Sequence, residues 1–448
     1  MRRTKKSRLF GTDGIRGRVG DFPLDDESLL KLGRAMGERL KDCRILFGRD
    51  TRNSGEKIME RMAAGISNRA KVFDCGVLPT PGLSFMTGRS NFDYGVMVTA
   101  SHNPYYDNGI KIFNGNGEKI APEFEMDIEN IFFSINNAGK DENSRVQPHI
   151  VKIRDKDRYR DFLIEEASHL KGEKGKAIID CAHGAVHEIA PAVFQETGFE
   201  TEIINAAPDG KNINRDSGST NPEKLGEEVI ARGADIAAAF DGDGDRVIFA
   251  DQNGNILDGD HSLYIISRHL LETDQAFNKI VVGTIMGNLG LEKALSRMGI
   301  TYIRTPVGDY NVYREMQRRD ALIGGEQSGH TILRRLQRTG DGILTAIYFL
   351  KALAYFDLKP VDLFKQLPLF PQVTKNIDIR KKKDINTWDA LKRMMEDFTG
   401  KHAGNSRIII RYSGTEPKIR LMIESGEESI IHENIEKFEN LIKSEIGG

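Results

Sequence analysis

The 448-residue chain has little cysteine, no long apolar run and no excess of charge of one sign, and each shortage removes a class of protein. Cys43, Cys75 and Cys181 are isolated thiols without a Cys-x-x-Cys spacing, which points to a reducing cytoplasm rather than an oxidising compartment. Cys181-x-His183-x₃-His187 has a zinc-like spacing, but no fourth ligand lies nearby. Cys181 also closes a strand pattern, and His183-Gly184 reads as a turn before a helix. No apolar stretch approaches the roughly 18 residues that a membrane span needs. The basic start, Met1 to Arg8, has no apolar segment behind it, so it reads as a solvated tail or a nucleic-acid-binding arm, not as a secretory signal. With 64 Lys+Arg against 66 Asp+Glu, no global field draws nucleic acid or an anionic membrane.

Glycine is plentiful: 45 residues, where average usage near 7% gives roughly 31, as expected if several backbone loops close on a ligand. The length suggests about three domains. The hydrophobic pattern divides the chain into four, at 1–152, 153–254, 255–368 and 369–448. In the first, strands are predicted at Arg44 to Phe47 and Tyr94 to Thr99, with helices over Asp26 to Leu40 and Ser54 to Arg69. A long charged helix over Asp155 to Leu170 opens the second. Strands 176–181, 200–204 and 235–240 then alternate with helices 185–197 and 223–232. The third repeats this rhythm with strands 279–284, 300–304 and 321–323 between helices 260–271, 289–298 and 309–319. Such alternation argues for an α/β fold, with mixed, mostly parallel sheets in three α/β domains. After Pro368-Leu-Phe-Pro371 the pattern changes to strands 373–379, 407–411 and 418–424 with helices 386–398 and 429–444, a smaller C-terminal α+β domain.

Asp241-Gly-Asp243-Gly-Asp245-Arg246 carries the strongest chemical signal. Three carboxylates within five residues repel one another unless a cation sits among them. They follow the apolar run Ala234 to Phe240, which reads as a buried strand able to deliver them in fixed positions. Oxygen-only ligands favour a hard ion such as Mg²⁺, a common partner of phosphates. An EF-hand wants Gly at loop position six and Glu at twelve; Arg246 and Gln252 stand there instead. A solvated acidic turn is the remaining alternative, and it needs neither the strand before it nor the arginine after it.

Four other segments are candidates. Thr99-Ala-Ser101-His102-Asn103-Pro104 ends a strand, with Asp107 to Lys111 following. Its serine reads alone as a cap or turn residue, since G-x-S-x-G is absent, but beside a metal loop its hydroxyl is a good phosphoryl acceptor and donor. Glu326, Ser328 and His330, set among glycines at 324–330, either contact sugar hydroxyls or form a structural loop. Arg411-Tyr-Ser413-Gly414-Thr415-Glu-Pro-Lys418-Ile-Arg420 joins two strands and suits a bound phosphate better than a plain basic hairpin tip. Phe10 to Gly17, with Arg16, fits a further phosphate contact or a turn.

Taken together, these segments resemble the α-D-phosphohexomutase family from about Leu9 to Ile423. The resemblance implies three related α/β domains plus a smaller α+β domain around a cleft. It implies a phosphoserine at Ser101, and one Mg²⁺ per chain held by Asp241, Asp243, Asp245 and the Ser101 phosphate. Arg16, Glu326, Ser328, His330, Arg411, Ser413, Gly414, Thr415 and Arg420 would bind substrate. Arg246 would neutralise charge, and His102, Lys111 or His330 would move a proton. Gly-Glu-Gln-Ser-Gly-His, Arg-x-Ser-Gly-Thr-Glu-Pro and the opening Phe-Gly-Thr-Asp-Gly-Ile-Arg-Gly are similar to members acting on glucosamine phosphates. They imply interconversion of glucosamine 6- and 1-phosphate through a bisphosphorylated sugar, by a cytoplasmic monomer or homodimer without nucleic-acid or membrane partners. Hexose phosphates are the alternative substrates. Three positions depart from the glucosamine pattern: Gly244 stands for a usual Ala, Val307-Gly-Asp-Tyr-Asn311 for Val-Gly-Asp-Arg-Tyr, and Arg334 to Arg338 for an acidic turn. The first is expected to be neutral.

Overall fold

The computed structural model describes residues 9–11, 13–135, 149–153, 157–413 and 417–447. The basic N-terminal segment, Gly414 and Thr415 lie outside them. The chain divides into a larger unit, 1–284 with 300–365, and a smaller one, 285–299 with 366–448.

The first sheet of the larger unit contains β1 (Ile15–Arg18), β2 (Arg44–Arg49), β3 (Lys71–Val77), β4 (Tyr94–Val98), β5 (Asp107–Asn114) and β6 (Ile150–Lys152). Their order is β1-β5-β4-β2-β3-β6, with only β5 antiparallel to its neighbours β4 and β1. Helices α1 (Asp26–Arg39), α2 (Gly55–Ile66), α3 (Thr80–Arg89) and α4 (Pro122–Ser134) accompany it. α1 starts where the Asp25 side chain accepts from Ser28 N, and it buries Leu29, Leu32 and Met36 along one stripe.

The second layer runs α5 (Asp157–Ala167), β7 (Lys176–Asp180), α6 (Ile189–Phe194), β8 (Glu200–Ile204), α7 (Pro222–Arg232), β9 (Ile236–Phe240), β10 (Val247–Asp251) and β11 (Ile256–Leu257), in sheet order β11-β10-β9-β7-β8. Every residue of β9 is buried, as its unbroken apolar run requires. The third contains α8 (Gly259–Thr273), β12 (Ile280–Thr284), β13 (Thr301–Thr305), α10 (Asp309–Arg319), β14 (Ile323–Gly325), β15 (Thr331–Leu333), α11 (Gly342–Tyr355) and α12 (Pro360–Gln366), in sheet order β13-β12-β14-β15. Across the three sheets together parallel pairings outnumber antiparallel ones, although in the second the two kinds are equal.

The smaller unit holds α9 (Leu289–Arg297), β16 (Gln372–Asp378), α13 (Asp389–Lys401), β17 (Ser406–Tyr412), β18 (Lys418–Ser425) and α14 (Glu428–Ile446). Its sheet β16-β18-β17 is wholly antiparallel and buries Trp388, Phe398, Ile419, Leu421 and Phe438 against the helices. Buried Glu424 accepts from Leu289 N at 2.8 Å, and Arg407 donates to the carbonyls of Ile285 and Gly287. These bonds tie segment 285–299 to this sheet.

One sequence expectation needs correction. The helix expected over 185–197 forms only at Ile189–Phe194, because Ala185 N donates to Gly242 O and His183 N to Asn205 O instead of entering a helical ladder. Asp107 to Lys111, for which no element was predicted, begins strand β5.

Candidate active site

The serine loop leaves β4 and is held by a buried arginine. Ser101 adopts φ 51°, a left-handed conformation that a serine enters only when surrounding bonds impose it. The Arg52 side chain is fully buried and uses all five of its donors. Nε bonds Asp50 Oδ2 at 2.9 Å, one terminal nitrogen bonds the carbonyls of Pro104 and Asp107, and the other bonds those of Ser101 (2.9 Å) and Asn103 (2.7 Å). Asn214 Nδ2 adds bonds to the same Ser101 and Asn103 carbonyls. Burial pushes the Asp50 carboxyl up, and Arg52 and Thr99 pull it back.

The loop 241–246 after β9 meets this serine directly. Ser101 Oγ donates to Asp241 Oδ2 at 2.6 Å. One oxygen from each of Asp241, Asp243 and Asp245 lies within 4.8 Å of the others, and all three residues are buried. Gly242 makes the approach possible: a Cβ there would lie 2.7 Å from Ser101 O. Lys111 Nζ, carried by β5, bridges Asp243 Oδ2 at 2.9 Å and Asp245 Oδ2 at 3.0 Å, and Thr80 Oγ1 at the start of α3 donates to Asp243 Oδ2 at 2.5 Å. Asp243 Oδ1 and Asp245 Oδ1 are buried without a hydrogen bond. Buried acceptors left so are costly, and an all-oxygen set with two open acceptors fits a hard divalent cation. Among the described residues this trio is the one such cluster; Cys181, His183 and His187 do not form another.

Charges around the trio are unevenly compensated. Burial, then the charges of Asp245 and Asp243, raise the Asp241 carboxyl well above its ordinary range. Burial opposes ionisation of Asp245 too, yet Lys111, His330 and Arg246 hold it at about 2. Lys111 is a firm cation, because Asp13, Asp243 and Asp245 outweigh the effect of its burial. His102 Nδ1 lies 3.2 Å from Ser101 Oγ, and burial with Arg246 and Arg16 lowers its pKa to about 4.

The remaining candidates lie partly in the larger unit and partly in the smaller one. Arg16 on β1 donates to Ala100 O at 3.2 Å and pairs with Asp13. Arg246 Nε stands 3.7 Å from Asp245 Oδ1. The loop 326–330 adjoins the next strand, with Val247 N donating to Gly329 O at 3.2 Å. Within it, Glu326 Oε1 accepts from Gly308 N at 3.1 Å, Ser328 is exposed, and buried His330 accepts from Gly340 N at 3.2 Å through Nε2. In the smaller unit, Arg411 and Arg420 face each other across β17 and β18, and Ser413 N donates to Lys418 O at 2.8 Å. Burial and the neighbouring Arg420 lower the Arg411 pKa.

Family models for phosphoglucomutase/phosphomannomutase match this chain in order: alpha/beta/alpha domain I at 7–139, domain II at 157–254, domain III at 258–369 and the C-terminal domain at 375–441. The chain belongs to the phosphoglucomutase/phosphomannomutase family. Within the family it is 40% identical over 442 residues to a phosphoglucosamine mutase of Pseudomonas syringae pv. syringae, covering 97% of this chain and 98% of that one. It is 40% identical over 428 residues to the phosphoglucosamine mutase of Azotobacter vinelandii, covering 94% and 95%. A family protein of Burkholderia thailandensis shares the fold, with a TM-score of 0.80 at 21% identity over 98% of each chain.

Sequence reasoning missed several residues of this centre. Arg52 and Asp50 sit in Gly48-Arg-Asp-Thr-Arg52, where charged residues at the end of an apolar strand were an available signal. Lys119 pairs with both Asp13 and Asp309, linking β1's approach to the start of α10. Thr80 and Asn214 carried no local signature. Gly244 is also more constrained than expected: it has φ 71°, and a Cβ would come within 2.4 Å of Val186 Cγ1.

Proposed function

We propose that the chain interconverts D-glucosamine 6-phosphate and α-D-glucosamine 1-phosphate through a phosphoserine at Ser101 and a bisphosphorylated sugar. The observation that carries this reading is the Ser101 hydroxyl, 2.6 Å from Asp241 within the carboxylate trio. The near-full-length identity to phosphoglucosamine mutases supports the amino sugar as substrate. Asp241, Asp243, Asp245 and the Ser101 phosphate would hold one Mg²⁺, which supplies charge neutralisation at the transferring group.

The chain's own residues do the rest. In the first transfer the P–O bond to Ser101 Oγ breaks as a bond to the free sugar hydroxyl forms, that hydroxyl loses its proton, and Ser101 Oγ regains one. His102, neutral at pH 7 and 3.2 Å from Ser101 Oγ, is suited to accept and return that proton. Lys111 and Arg246 remain cations and balance the dianionic phosphoserine. Glu326, Ser328, His330 and Arg16 contact the sugar and its phosphate. Arg411, Ser413, Gly414, Thr415 and Arg420 hold the phosphate that is not reacting. Turnover then requires the bisphosphate to present its other end to Ser101, which regains a phosphate. The enzyme works in the cytoplasm as a monomer or homodimer.

The test is a parallel coupled assay on glucosamine, glucose and mannose 1-phosphates, with intact mass before and after phosphatase treatment. Preference for glucosamine 1-phosphate and an adduct of one phosphate, absent in Ser101→Ala, are expected. Preference for a neutral hexose would overturn the substrate, and normal turnover by Ser101→Ala would overturn the chemistry.

A further inference from the structure

A second, chemically distinct cleft lies in the larger unit at the far end of α3 from Thr80. Its volume is about 380 Å³, and it is bounded by the last turns of α3, the turn at Asn116 to Glu118, and residues 335–338 after β15. A ten-residue helix rises about 14 Å between its first and last residues, so the cleft is well removed from the contact of Thr80 with Asp243.

Exposed Arg89 and Arg338 line the cleft, and exposed Arg158 stands beside it. The Arg89 guanidinium lies over the rings of Phe85 (4.3 Å) and Phe162 (5.1 Å) and donates to Leu336 O at 3.1 Å. Arg158 approaches from α5, donating to Ser90 Oγ at 2.8 Å and Arg89 O at 3.3 Å. Arg338 closes the other wall and donates to Arg334 O at 3.0 Å. Among the described residues, no carboxylate forms an ion pair with Arg89, Arg158 or Arg338. Arg335 is balanced by Asp274 at 2.9 Å. Glu118, the one acid on the lining, accepts from Tyr313 Oη (2.8 Å) and Gln317 Nε2 (3.0 Å), which sets Arg89 and Arg338 against a single carboxylate. Burial, then Arg338 and Arg158, lower the Arg89 pKa, and Glu166 opposes them. The polar walls leave little for an apolar ligand, whereas the planar fork of arginine matches phosphate oxygens.

We propose that this cleft binds a phosphate-bearing anion of small-metabolite size, held chiefly by Arg89 and Arg338, at a site separate from the serine and its carboxylates. The site sits on elements that also reach the reaction centre. Gln337 Nε2, in the same turn, donates to Pro81 O at 3.1 Å, next to the Thr80 that seats Asp243.

Calorimetric titration of the full chain with inorganic pyrophosphate in metal-free buffer tests this, using an Arg411→Ala background to weaken the phosphate contact proposed for the smaller unit. One binding event is expected. It weakens roughly tenfold or more in Arg89→Gln and in Arg338→Gln, and disappears in Arg338→Glu. Glutamine keeps the side-chain stem, and an unchanged unfolding midpoint verifies the fold. Absence of binding in the Arg411→Ala chain, or binding unaltered by the substitutions at Arg89 and Arg338, overturns the proposal.

Discussion

Arg52→Lys keeps a positive charge but cannot keep the serine loop. Arginine meets five acceptors at this position: Asp50 Oδ2 and the carbonyls of Ser101, Asn103, Pro104 and Asp107. Lysine has three donors on one nitrogen, so at least two acceptors lose their bond. Asn214 still serves the Ser101 and Asn103 carbonyls, so the cost is that of the two lost bonds from a charged donor, about 1.5–3 kcal/mol each, or about 3–6 kcal/mol together, a large fraction of the stability of a typical domain. The same loss loosens Ser101, whose φ of 51° is imposed by these bonds. Turnover should therefore fall with KM little changed, since Arg52 bonds to loop carbonyls rather than to the residues assigned to the substrate. Arg52→Met should be worse, because it also strips the counter-charge from buried Asp50, a change worth about 3–5 kcal/mol by itself. Urea unfolding paired with steady-state kinetics reads both effects. An Arg52→Lys chain with the parent's midpoint and turnover would refute the five-acceptor account.

Gly244→Ala should destabilise the chain by about 1–2 kcal/mol from its left-handed backbone alone, with more from overlap with Val186. A double-mutant cycle with Val186→Ala should reveal coupling between the two, whereas strictly additive losses would dismiss the overlap. Burial raises the Asp341 carboxyl from 3.8 to about 6, against hydrogen bonds from Leu344 N, Gln337 and Tyr159. A raised acid contributes stability that is full below about pH 4 and lost as pH climbs through 6, a decline of about 3 kcal/mol at 1.36 kcal/mol per pKa unit. Asp341→Asn, uncharged throughout, should flatten that decline; unfolding midpoints that fall in parallel for both chains between pH 4 and 7 would contradict it. Chelation followed by metal analysis should abolish turnover, with Mg²⁺ restoring it. Full activity in demonstrably metal-free protein would leave the carboxylate trio without its proposed ion.

The sequence by itself determined the alternation of strands and helices, the change of pattern near Pro368 and the metal-loop acids, because each is written in neighbouring residues. β9 was legible since burial on both faces demands an unbroken apolar run, and all five of its residues are buried. Ser101 and Asp241 were each visible as motifs. Their hydrogen bond spans 140 positions, and only the packing of two sheets could create it. The same holds for Arg52, four of whose five acceptors lie about fifty residues away and are carbonyls, which every residue possesses and no pattern of side chains reveals. The shortened helix α6 and the constrained Gly244 were decided likewise by partners from distant segments: the Gly242 carbonyl in one case, the Val186 side chain in the other. Periodicity records which face of an element is buried. It does not record which distant backbone atom that face will meet.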